Sequence, residues 1–596
     1  MASMGFDQSG AASKAVRRVR WFYVLVAIAI GIFWVRAFYL QIIRHDYYVQ
    51  AARSDQLKEY QIPAPRGLIR AHNGDEIVPI VLNQKLYTVY ADPTLVKDAK
   101  RAAETLVVVL GGKADDYKRK LETPGTRYVV LAKRVEPEKK KAILSRKYPG
   151  IGAVELSYRT YPNGPLAAQL LGFVNDESKG VYGVEQALNK QLTGKSGMLK
   201  AVTDVNGVPL AANSENVEQA PVSGSDVVLT INISMQKQLE SILKQGVEDA
   251  KSSSGSALIM EAKTGAVKAM ANWPTYDPAK YSEVEDPAVF NNAAVSSPLE
   301  VGSVMKPLTA AAALDQGVIR ADTSYNDPAQ WKIDGYTIRN VEEDGGPGVH
   351  DIKELLNLSL NTGATWLLMQ MGKPGSTEIT QAGRERWYDY MTNHYRLGQV
   401  TGIEQGYEAE GIIPEPNKGY GRNLTYANSS FGQGMTATPI QMAAAFAAVV
   451  NGGTYYQPHL VDQYIAPDGK VTTVTPKVLR TGVVSPQVGK DIRVILQYVI
   501  DKHHVRPPFD QNAYSVGGKT GTAQIPDPEG AGGYKEHDFN GTYLGFVGGD
   551  EAQYVIMVRV NEPKIGGYAG TSAAQPIFGK LGHILIDNFG VTPRSR

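Results

Sequence analysis

The stretch "LEVGSVMKPLTAAAAL", residues 299–314, places a glycine, a serine, a lysine and a proline ahead of an alanine-rich segment. Proline is tolerated in the first turn of a helix, where backbone N–H groups have no intrahelical partner. Pro307 therefore places Ser303 at or just before a helix N-terminus, where free N–H groups favour negative charge. The four alanines 310–313 predict a thin helix that can be buried centrally. Ser303 is then either a helix cap or an activated nucleophile.

The spacing of Ser303 and Lys306 favours the nucleophile. A serine hydroxyl reacts poorly until a base removes its proton. Residues i and i+3 share one helix face, so the two side chains come within reach of each other. A lysine amine can serve as the base when burial or neighbouring positive charge keeps it neutral. Serine–lysine enzymes that act on penicillin also carry Ser-x-Asn and Lys-Thr-Gly.

Each of these motifs recurs in the chain, and their order together with their local context selects one set. Ser-x-x-Lys also begins at Ser234 and Ser241, Ser-x-Asn begins at Ser214, Ser324 and Ser359, and Lys-Thr-Gly begins at Lys263 and Lys519. The required order is serine–lysine, Ser-x-Asn, Lys-Thr-Gly, so only Lys519 can close a set. Ser234 and Ser241 lie in a charged segment that predicts a solvated helix face, and Lys263 lies in a predicted hairpin turn.

The second and third motifs have distinct contexts. Ser359 and Asn361 lie between two apolar helical runs in "ELLNLSLNTGATWLLMQMG", residues 354–372, with Gly363 predicted as a break. Lys519 follows two glycines on a predicted strand, "YSVGGKTGTAQI", residues 514–525. Gly521 removes a side chain where a substrate backbone could lie alongside. Helix caps and a hairpin turn remain the alternative interpretations of these two motifs.

An apolar segment near the N-terminus predicts a membrane anchor. Residues 21–35, "WFYVLVAIAIGIFWV", carry no charge, and the helix 21–43 would span roughly 34 Å. Basic residues precede it, so the positive-inside rule places residues 1–20 in the cytoplasm and the remainder outside. The alternative is a cleaved signal peptide, but the one Ala-x-Ala sequence lies inside the apolar run.

Bulk composition narrows the class of protein. The 596 residues are 43% hydrophobic and 20% charged, which is typical of a globular chain with several domains. A net charge of +2 gives no indication of a nucleic-acid partner. The absence of cysteine excludes disulfides, thiol nucleophiles and cysteine zinc sites. No metal-ligand motif is present, and His503 and His504 are interpreted as an isolated surface pair, so no metal or cofactor is expected.

Local sequence patterns predict both strands and helices in the exported part of the chain, residues 44–596. We expect strands at 85–91, 226–233, 541–549 and 552–563, a hairpin at 256–271, and helices at 136–148, 182–197 (ending at Gly194), 234–251 (capped by Ser234) and 573–589. The polar span 207–225 predicts a domain junction. Strands at both ends of the C-terminal part, with helices between them, predict an α+β domain with a central antiparallel sheet flanked by helices.

Beyond the three motifs, longer segments carry a family resemblance. They are "PAPRGLIRAHNGDEI" (63–77), "RTYPNGPLAAQLLGFVND" (159–176), "GVYGVEQALNKQLTG" (180–194) and "SSFGQGMTATPIQMAAAFAAVVNGGTYYQPHLV" (429–461). In this order they resemble class B penicillin-binding proteins, membrane-anchored D,D-transpeptidases of bacterial cell-wall synthesis. Residues 87–96, 127–138 and 161–174 are most similar to the septal, FtsI-type branch. The chain departs from the usual family pattern at Val301 and Leu360, and neither departure removes a reacting group.

The resemblance implies a domain plan and a set of partners. It implies a cytoplasmic tail (1–20), a transmembrane helix (21–43), an elongated pedestal or dimerisation-like domain (44–222) and a penicillin-binding transpeptidase domain (223–596), with no glycosyltransferase. The implied partners are peptidoglycan stem peptides (a D-Ala-D-Ala donor and an amine acceptor), β-lactams, and a membrane-embedded glycan polymerase with other division proteins.

The resemblance also implies a role for each motif residue. Ser303 would attack the carbonyl between the terminal D-alanines, and Lys306 would take its proton. Ser359 would relay that proton, Asn361 would hold a substrate amide, and Lys519 would supply positive charge. Thr520, Gly521 and Thr522 would bind the substrate carboxylate, and the N–H groups of Ser303 and Thr522 would form the oxyanion hole. Residues 432–434 would form a structural turn and 526–538 a mobile loop beside the site.

Other functions share some of these features. An elongation-type transpeptidase would have the same motifs. A β-lactam sensor would need further membrane spans and a cytoplasmic effector, and a serine β-lactamase would be smaller and lack the pedestal. A catalytically inactive division scaffold would be expected to lose motif residues, which are intact here.

Overall fold

The structure is a computed structural model that describes residues 9–48, 57–202, 217–340, 346–527 and 533–595. Its contacts divide the chain into two compact units, one formed by residues 1–64 and 195–222 and the other by residues 65–194 and 223–596. Most of the junction expected at 207–225 lies outside the described residues. The division between pedestal and transpeptidase domains at 222/223 therefore stays a prediction.

The strands follow one another in three stretches. The first ten are β1 Leu57–Ile62, β2 Ile69–Asn73, β3 Glu76–Ala91, β4 Val129–Val135, β5 Ile151–Thr160, β6 Phe173–Val174, β7 Gly180–Val181, β8 Gly197–Val202, β9 Val217–Gln219 and β10 Asp226–Asn232. The next six are β11 Ser254–Glu261, β12 Val267–Trp273, β13 Ser324–Asp327, β14 Gln330–Ile333, β15 Tyr336–Arg339 and β16 Gly348–Asp351. The last seven are β17 Thr454–Tyr456, β18 Val461–Ile465, β19 Val471–Thr473, β20 Val478–Thr481, β21 Ser515–Pro526, β22 Tyr534–Gly548 and β23 Ala552–Asn561.

The α-helices lie mostly between these strands. The first eight are α1 Ser9–Phe38, α2 Ala99–Leu110, α3 Ala114–Leu121, α4 Pro137–Leu144, α5 Ala168–Leu171, α6 Gly183–Ala187, α7 Asn189–Leu192 and α8 Ile233–Asp249. The remainder are α9 Ala293–Ser296, α10 Lys306–Asp315, α11 Ile352–Asn357, α12 Asn361–Gly372, α13 Gln381–Asp389, α14 Arg422–Ser430, α15 Pro439–Val450, α16 Pro486–Lys502 and α17 Gln575–Asn588.

The first unit contains the apolar helix and a small antiparallel sheet. Helix α1 continues into a π-helical turn, Tyr39–Ile43, and the 28-residue stretch Val16–Ile43 contains an 18-residue window with a mean hydropathy of 2.0. It is the one helix among the described residues that is long and apolar enough to cross a membrane. The helix expected at 21–43 is therefore confirmed, and it begins earlier. Strand β8 pairs with β1 on one side and β9 on the other.

A seven-stranded sheet organises the start of the second unit. Its order is β19-β18-β10-β2-β3-β4, with β5 also paired to β3. Strand β10 runs parallel to β2 and antiparallel to β18, so its two edges bond to segments far apart in the chain. Because this sheet joins residues 65–194 to the rest of the unit, those residues pack with the C-terminal part.

A buried ionic cluster joins three of the family-like segments. Glu185 is 0% exposed and accepts from Arg66 Nε at 2.8 Å and from Arg159 Nε at 2.7 Å. Arg66 NH1 also donates to Asn189 Oδ1 at 2.9 Å, and Arg159 NH1 donates to Asn83 Oδ1 at 2.8 Å. The segments 63–77, 159–176 and 180–194 thus each contribute one charge to a single buried group.

The C-terminal sheet has five antiparallel strands in the order β12-β11-β23-β22-β21. Alternate residues of β23 enter different cores, so that Ile556 and Val558 pack with helices α8 and α17 while Val555 and Met557 face the larger helical core. In chain order, the first and last strands of this sheet pair directly, since β11 lies beside β23. This confirms the expected α+β architecture and leaves β21 at the edge of the sheet.

Three local predictions differ from the structure. The single helix expected at 182–197 is two short helices that meet at Leu188. Asn232, not Ser234, caps helix α8, because its side chain accepts from the N–H of Met235 at 3.0 Å and the helix begins one residue before Ser234. The helix expected at 136–148 ends at Leu144.

Candidate active site

Ser303 lies in a tight 3₁₀ turn, Gly302–Met305, that leads directly into helix α10. Pro307 occupies the first turn of that helix, as the sequence predicts. Gly302 has φ +65°, and a Cβ there would lie 2.9 Å from Thr522 O. Only glycine permits this close approach of the turn to β21. The alanines 310–313 are fully buried, which confirms the thin central helix.

The side chain of Lys306 links the first two motifs. It is 0% exposed, and Nζ lies 3.0 Å from Ser303 Oγ, 3.1 Å from Ser359 Oγ and 2.9 Å from Asn361 Oδ1. Nζ also donates to Ser359 O. The ring of Phe431 lies 5.8 Å from the amine. An amine held by three side chains at these distances is fixed next to the hydroxyl that it would deprotonate.

The second motif occupies the break between α11 and α12. Ser359 has φ +56°, a left-handed conformation that turns the chain between the two helices. The expected break at Gly363 is wrong, because Gly363 lies within α12. A Cβ on Gly363 would come within 2.4 Å of Tyr325 Oη and 2.5 Å of Leu355 Cγ, so this glycine is required for close helix packing.

The third motif lies on the edge strand β21, where Lys519 is buried. Its Nζ donates to Thr520 O at 3.2 Å and to Thr520 Oγ1 at 3.3 Å. A Cβ on Gly521 would lie 2.8 Å from Val301 O and 3.1 Å from Val304 Cγ1. The missing side chain of Gly521 thus admits the Ser303 turn, and its expected role beside a substrate backbone stays a prediction.

Hydrogen bonds tie the backbone beside Ser303 to strand β22, and tie Thr522 of strand β21 to Gly570. Thr542 Oγ1 donates to Val301 O at 2.9 Å, and Gly570 N donates to Thr522 Oγ1 at 3.1 Å. Thr522 keeps its own O–H for another acceptor. Because the Ser303 turn packs on Gly521 and Thr522, the first and third motifs lie in one place, as an active site requires.

Comparison with known proteins agrees with this geometry. Residues 255–582 match the penicillin-binding protein transpeptidase domain, and residues 61–229 match the penicillin-binding protein dimerisation domain. The chain belongs to the class B penicillin-binding proteins. Its family is that of the peptidoglycan D,D-transpeptidases.

Several relatives of this penicillin-binding protein align over nearly its whole length. Stage V sporulation protein D of Bacillus subtilis is 30% identical over 98% of this chain and 88% of the relative. PbpB of Mycobacterium tuberculosis is 30% identical over 93% of this chain and 82% of the relative. Peptidoglycan D,D-transpeptidase FtsI of Escherichia coli is 26% identical over 96% of this chain and 93% of the relative.

Solved penicillin-binding proteins share the fold. Penicillin-binding protein 2X of Streptococcus thermophilus superposes with a TM-score of 0.69 at 24% identity, covering 89% of this chain and 81% of that one. Penicillin-binding protein 3 of Mycobacterium tuberculosis, in complex with aztreonam, superposes with a TM-score of 0.65 at 24% identity. The match covers 90% of this chain and 98% of that one.

Sequence reasoning missed the residues that support the Ser303 turn from behind. Glu300 Oε1 accepts from Gly434 N at 3.0 Å and from Tyr534 Oη at 3.1 Å. Gly302 N donates to Gly432 O at 3.0 Å, so residues 432–434 form a turn that packs on the nucleophile-bearing segment. Burial raises the pKa of Glu300, while its two hydrogen-bond donors act in the opposite direction. The sequence indicated the turn at 432–434 but not its contacts with Glu300 and Gly302.

Two surface predictions need correction in this penicillin-binding protein. His503 is half-buried, and its ring nitrogen Nε2 lies 2.9 Å from Asn357 O. Burial, and secondarily the charge of Lys519, lower the pKa of His503, so only His504 belongs to the surface. The loop expected at 526–538 is shorter than expected, because β22 already begins at Tyr534, and residues 528–532 lie outside the described residues.

The competing Ser-x-Asn sequence at Ser214 lies outside the described residues, and the one at Ser324 begins strand β13. Ser234 and Ser241 are exposed on helix α8, as expected. The segment around Lys263 is the turn between β11 and β12, which confirms the hairpin interpretation. Among the described residues, no group of three histidine, aspartate or glutamate side chains could hold a metal ion.

Proposed function

We propose that this chain crosslinks peptidoglycan stem peptides through a serine acyl-enzyme. The observation that carries the proposal is the buried Lys306 amine, which lies within hydrogen-bond distance of Ser303, Ser359 and Asn361 together. A neutral amine there accepts the Ser303 proton as Oγ bonds to the carbonyl carbon between the terminal D-alanines. The N–H groups of Ser303 and Thr522 stabilise the resulting oxyanion, at roughly 3–4 kcal/mol for each donor.

The acylation step is completed when the carbon–nitrogen bond to the terminal D-alanine breaks. Ser359 relays the proton from Lys306 to the departing amine, since its hydroxyl lies 3.1 Å from Nζ. Thr520, Gly521 and Thr522 on β21 bind the terminal carboxylate, and Lys519 beside them supplies the balancing positive charge. The amine of a second stem peptide then attacks the ester, releases Ser303 and forms the crosslink. A β-lactam acylates the same hydroxyl and is released slowly.

We also propose the domain plan and the orientation that the sequence predicts. Residues 1–20 would lie in the cytoplasm, 21–43 would cross the membrane, 44–222 would form the pedestal and 223–596 the transpeptidase domain. The basic residues ahead of the apolar helix support this orientation. No segment resembles a glycosyltransferase, so a separate membrane-embedded polymerase would supply the glycan.

The chemistry is tested with fluorescent penicillin on the detergent-solubilised full-length chain. We expect covalent labelling of the unaltered protein and of Ser234→Ala, a serine in the exposed Ser-x-x-Lys sequence, and none of Ser303→Ala. Incubation with polymerised lipid-linked glycan should yield crosslinked products only when Ser303 is present. Labelling without crosslinking would indicate a sensor, and the absence of both would indicate an inactive scaffold.

We propose division, not elongation, as the cellular role, because segments 87–96, 127–138 and 161–174 are most similar to the septal branch. Depletion in the native organism should then block septation and produce filaments. Swollen or rounded cells that still divide would assign the chain to elongation.

A further inference from the structure

A groove lies on the transpeptidase part of the molecule, outside the motifs described above. One wall is the β14–β15 hairpin and the other is the start of helix α14, and the volume is about 590 Å³. That volume falls within the roughly 300–1,000 Å³ typical of small-molecule sites. The proposed mechanism uses none of the groove's lining side chains.

Two tyrosines form the aromatic part of the groove. Tyr336 begins β15 and is 65% exposed, and Tyr420 is completely exposed between Gly419 and Gly421. Both glycines have positive φ, which lets the chain present Tyr420 outward. Exposed tyrosine rings offer a flat apolar face with a hydroxyl at its end, which suits a ligand with both apolar and polar edges.

The polar part of the groove is built around a buried guanidinium. Arg384 is 8% exposed, its Nε donates to Pro416 O at 3.1 Å, and its NH1 donates to Asn423 Oδ1. Within the described part of the chain, its NH2 group makes no hydrogen bond. Asp334 at the hairpin tip accepts from Leu424 N at 3.1 Å. The groove therefore combines a directional donor, an amide and a carboxylate.

The hairpin that carries Tyr336 is fixed to the active site at its other end. Trp331 Nε1 donates to Thr362 O at 3.1 Å, and Asn361 Nδ2 donates to Arg339 O at 3.2 Å. Tyr336 lies three strand residues from Arg339, or roughly 10 Å. A stem peptide at about 3.3–3.6 Å per residue covers that distance in three residues.

We propose that this groove binds the glycan strand of peptidoglycan through its N-acetylated amino sugars. A sugar ring presents a C–H face that packs on tyrosine and a rim of hydroxyl and acetamido groups that bond to Arg384, Asn423 and Asp334. The described residues that line the groove, which include Arg422, form no deep apolar pocket for a peptide side chain. The inference rests on the proposed transpeptidase function, because it assigns the glycan of that substrate to a second site.

The test uses the full-length chain in detergent and peptide-free glycan strands of alternating N-acetylglucosamine and N-acetylmuramic acid. Binding is measured by the change in tryptophan fluorescence and by co-sedimentation with insoluble glycan. We expect Tyr336→Ala/Tyr420→Ala to weaken binding at least fivefold. Tyr407→Ala serves as the matched control, because Tyr407 is equally exposed but does not line the groove. Thermal unfolding of each variant checks that it folds.

The outcomes separate this inference from the proposed function. Glycan binding that is absent, or equal in the double variant and the Tyr407→Ala control, overturns the groove assignment. If free stem peptide binds and peptide-free glycan does not, the groove assignment is overturned in favour of a peptide site. Penicillin labelling of Ser303 is measured on the unaltered chain and on Tyr407→Ala, so a failure of the acyl-enzyme proposal is read independently of glycan binding.

Discussion

Lys306 Nζ lies 3.0 Å from Ser303 Oγ and 2.9 Å from Asn361 Oδ1, so one amine connects the hydroxyl of the first motif to the amide of the second. This relationship depends on two breaks in helical structure. The 3₁₀ turn at Gly302–Met305 presents Ser303, and the left-handed Ser359 brings Asn361 to the start of a new helix. The amine is thus held by side chains from two separate segments, and its removal should affect the chemistry more than the fold.

Replacement of Lys306 by methionine should slow penicillin acylation of Ser303 by about 10²–10⁴-fold, the range typical of a lost general base. Methionine keeps the approximate volume, so the helix should remain packed. Stopped-flow acylation with fluorescent penicillin gives the rate. Lys237→Met in the exposed Ser-x-x-Lys sequence is the matched control and should react at the unaltered rate. A Lys306→Met rate within tenfold of the control would exclude Lys306 as the base.

Gly521→Ala should misplace the nucleophile. The added Cβ would lie 2.2 Å from Thr542 Oγ1 and 2.8 Å from Val301 O, so β21 and the Ser303 turn must separate. Overpacking of this kind costs about 1–3 kcal/mol, and a 1 Å displacement of reacting groups can cost about 10²-fold in rate. The thermal midpoint and the acylation rate measure both effects. Gly533→Ala, where nothing lies within 4 Å, should change neither, and equal behaviour of the two variants would contradict the packing argument.

Much of the site could be predicted because its chemistry is written in short local motifs. Motif order selected Lys519, local context selected Ser303 and Ser359, and Pro307 marked the helix start. Local pattern also gave the hairpin around Lys263 and the strands at the C-terminus, since periodicity and turn residues are local signals.

The missed features depend on contacts between distant segments. The roles of Gly363 and Gly521 follow from what their absent side chains would meet, which is set by tertiary packing. His503 looked like a surface residue because the residues next to it in the sequence do not reveal that the distant segment 357–361 packs against its ring. The β14–β15 hairpin was not predicted, although Asp334 and Gly335 between its strands are a strong two-residue turn signal.

Glu185→Ala should destabilise the second unit by about 3–5 kcal/mol, because it leaves Arg66 and Arg159 buried without their shared carboxylate. Urea unfolding of the detergent-solubilised chain, followed by tryptophan fluorescence, measures the loss. Glu122→Ala removes an exposed partner of Lys118 and should cost at most about 1 kcal/mol. Similar losses for the two variants would show that the buried cluster does not stabilise the fold beyond an ordinary surface pair.

Glu300→Gln should change how stability depends on pH. Burial raises the pKa of Glu300 in the folded chain above the ordinary value of 4.5, so the folded state holds this proton more tightly than the unfolded state. The free energy of unfolding therefore falls as pH rises from about 4.5 to the folded pKa, and glutamine removes that fall. The thermal midpoint of Glu300→Gln minus that of the unaltered chain should increase between pH 4 and pH 7. Glu285→Gln, an exposed control, should show no such trend, and a difference that stayed constant or decreased with pH would contradict a raised pKa of the buried Glu300 behind the Ser303 turn.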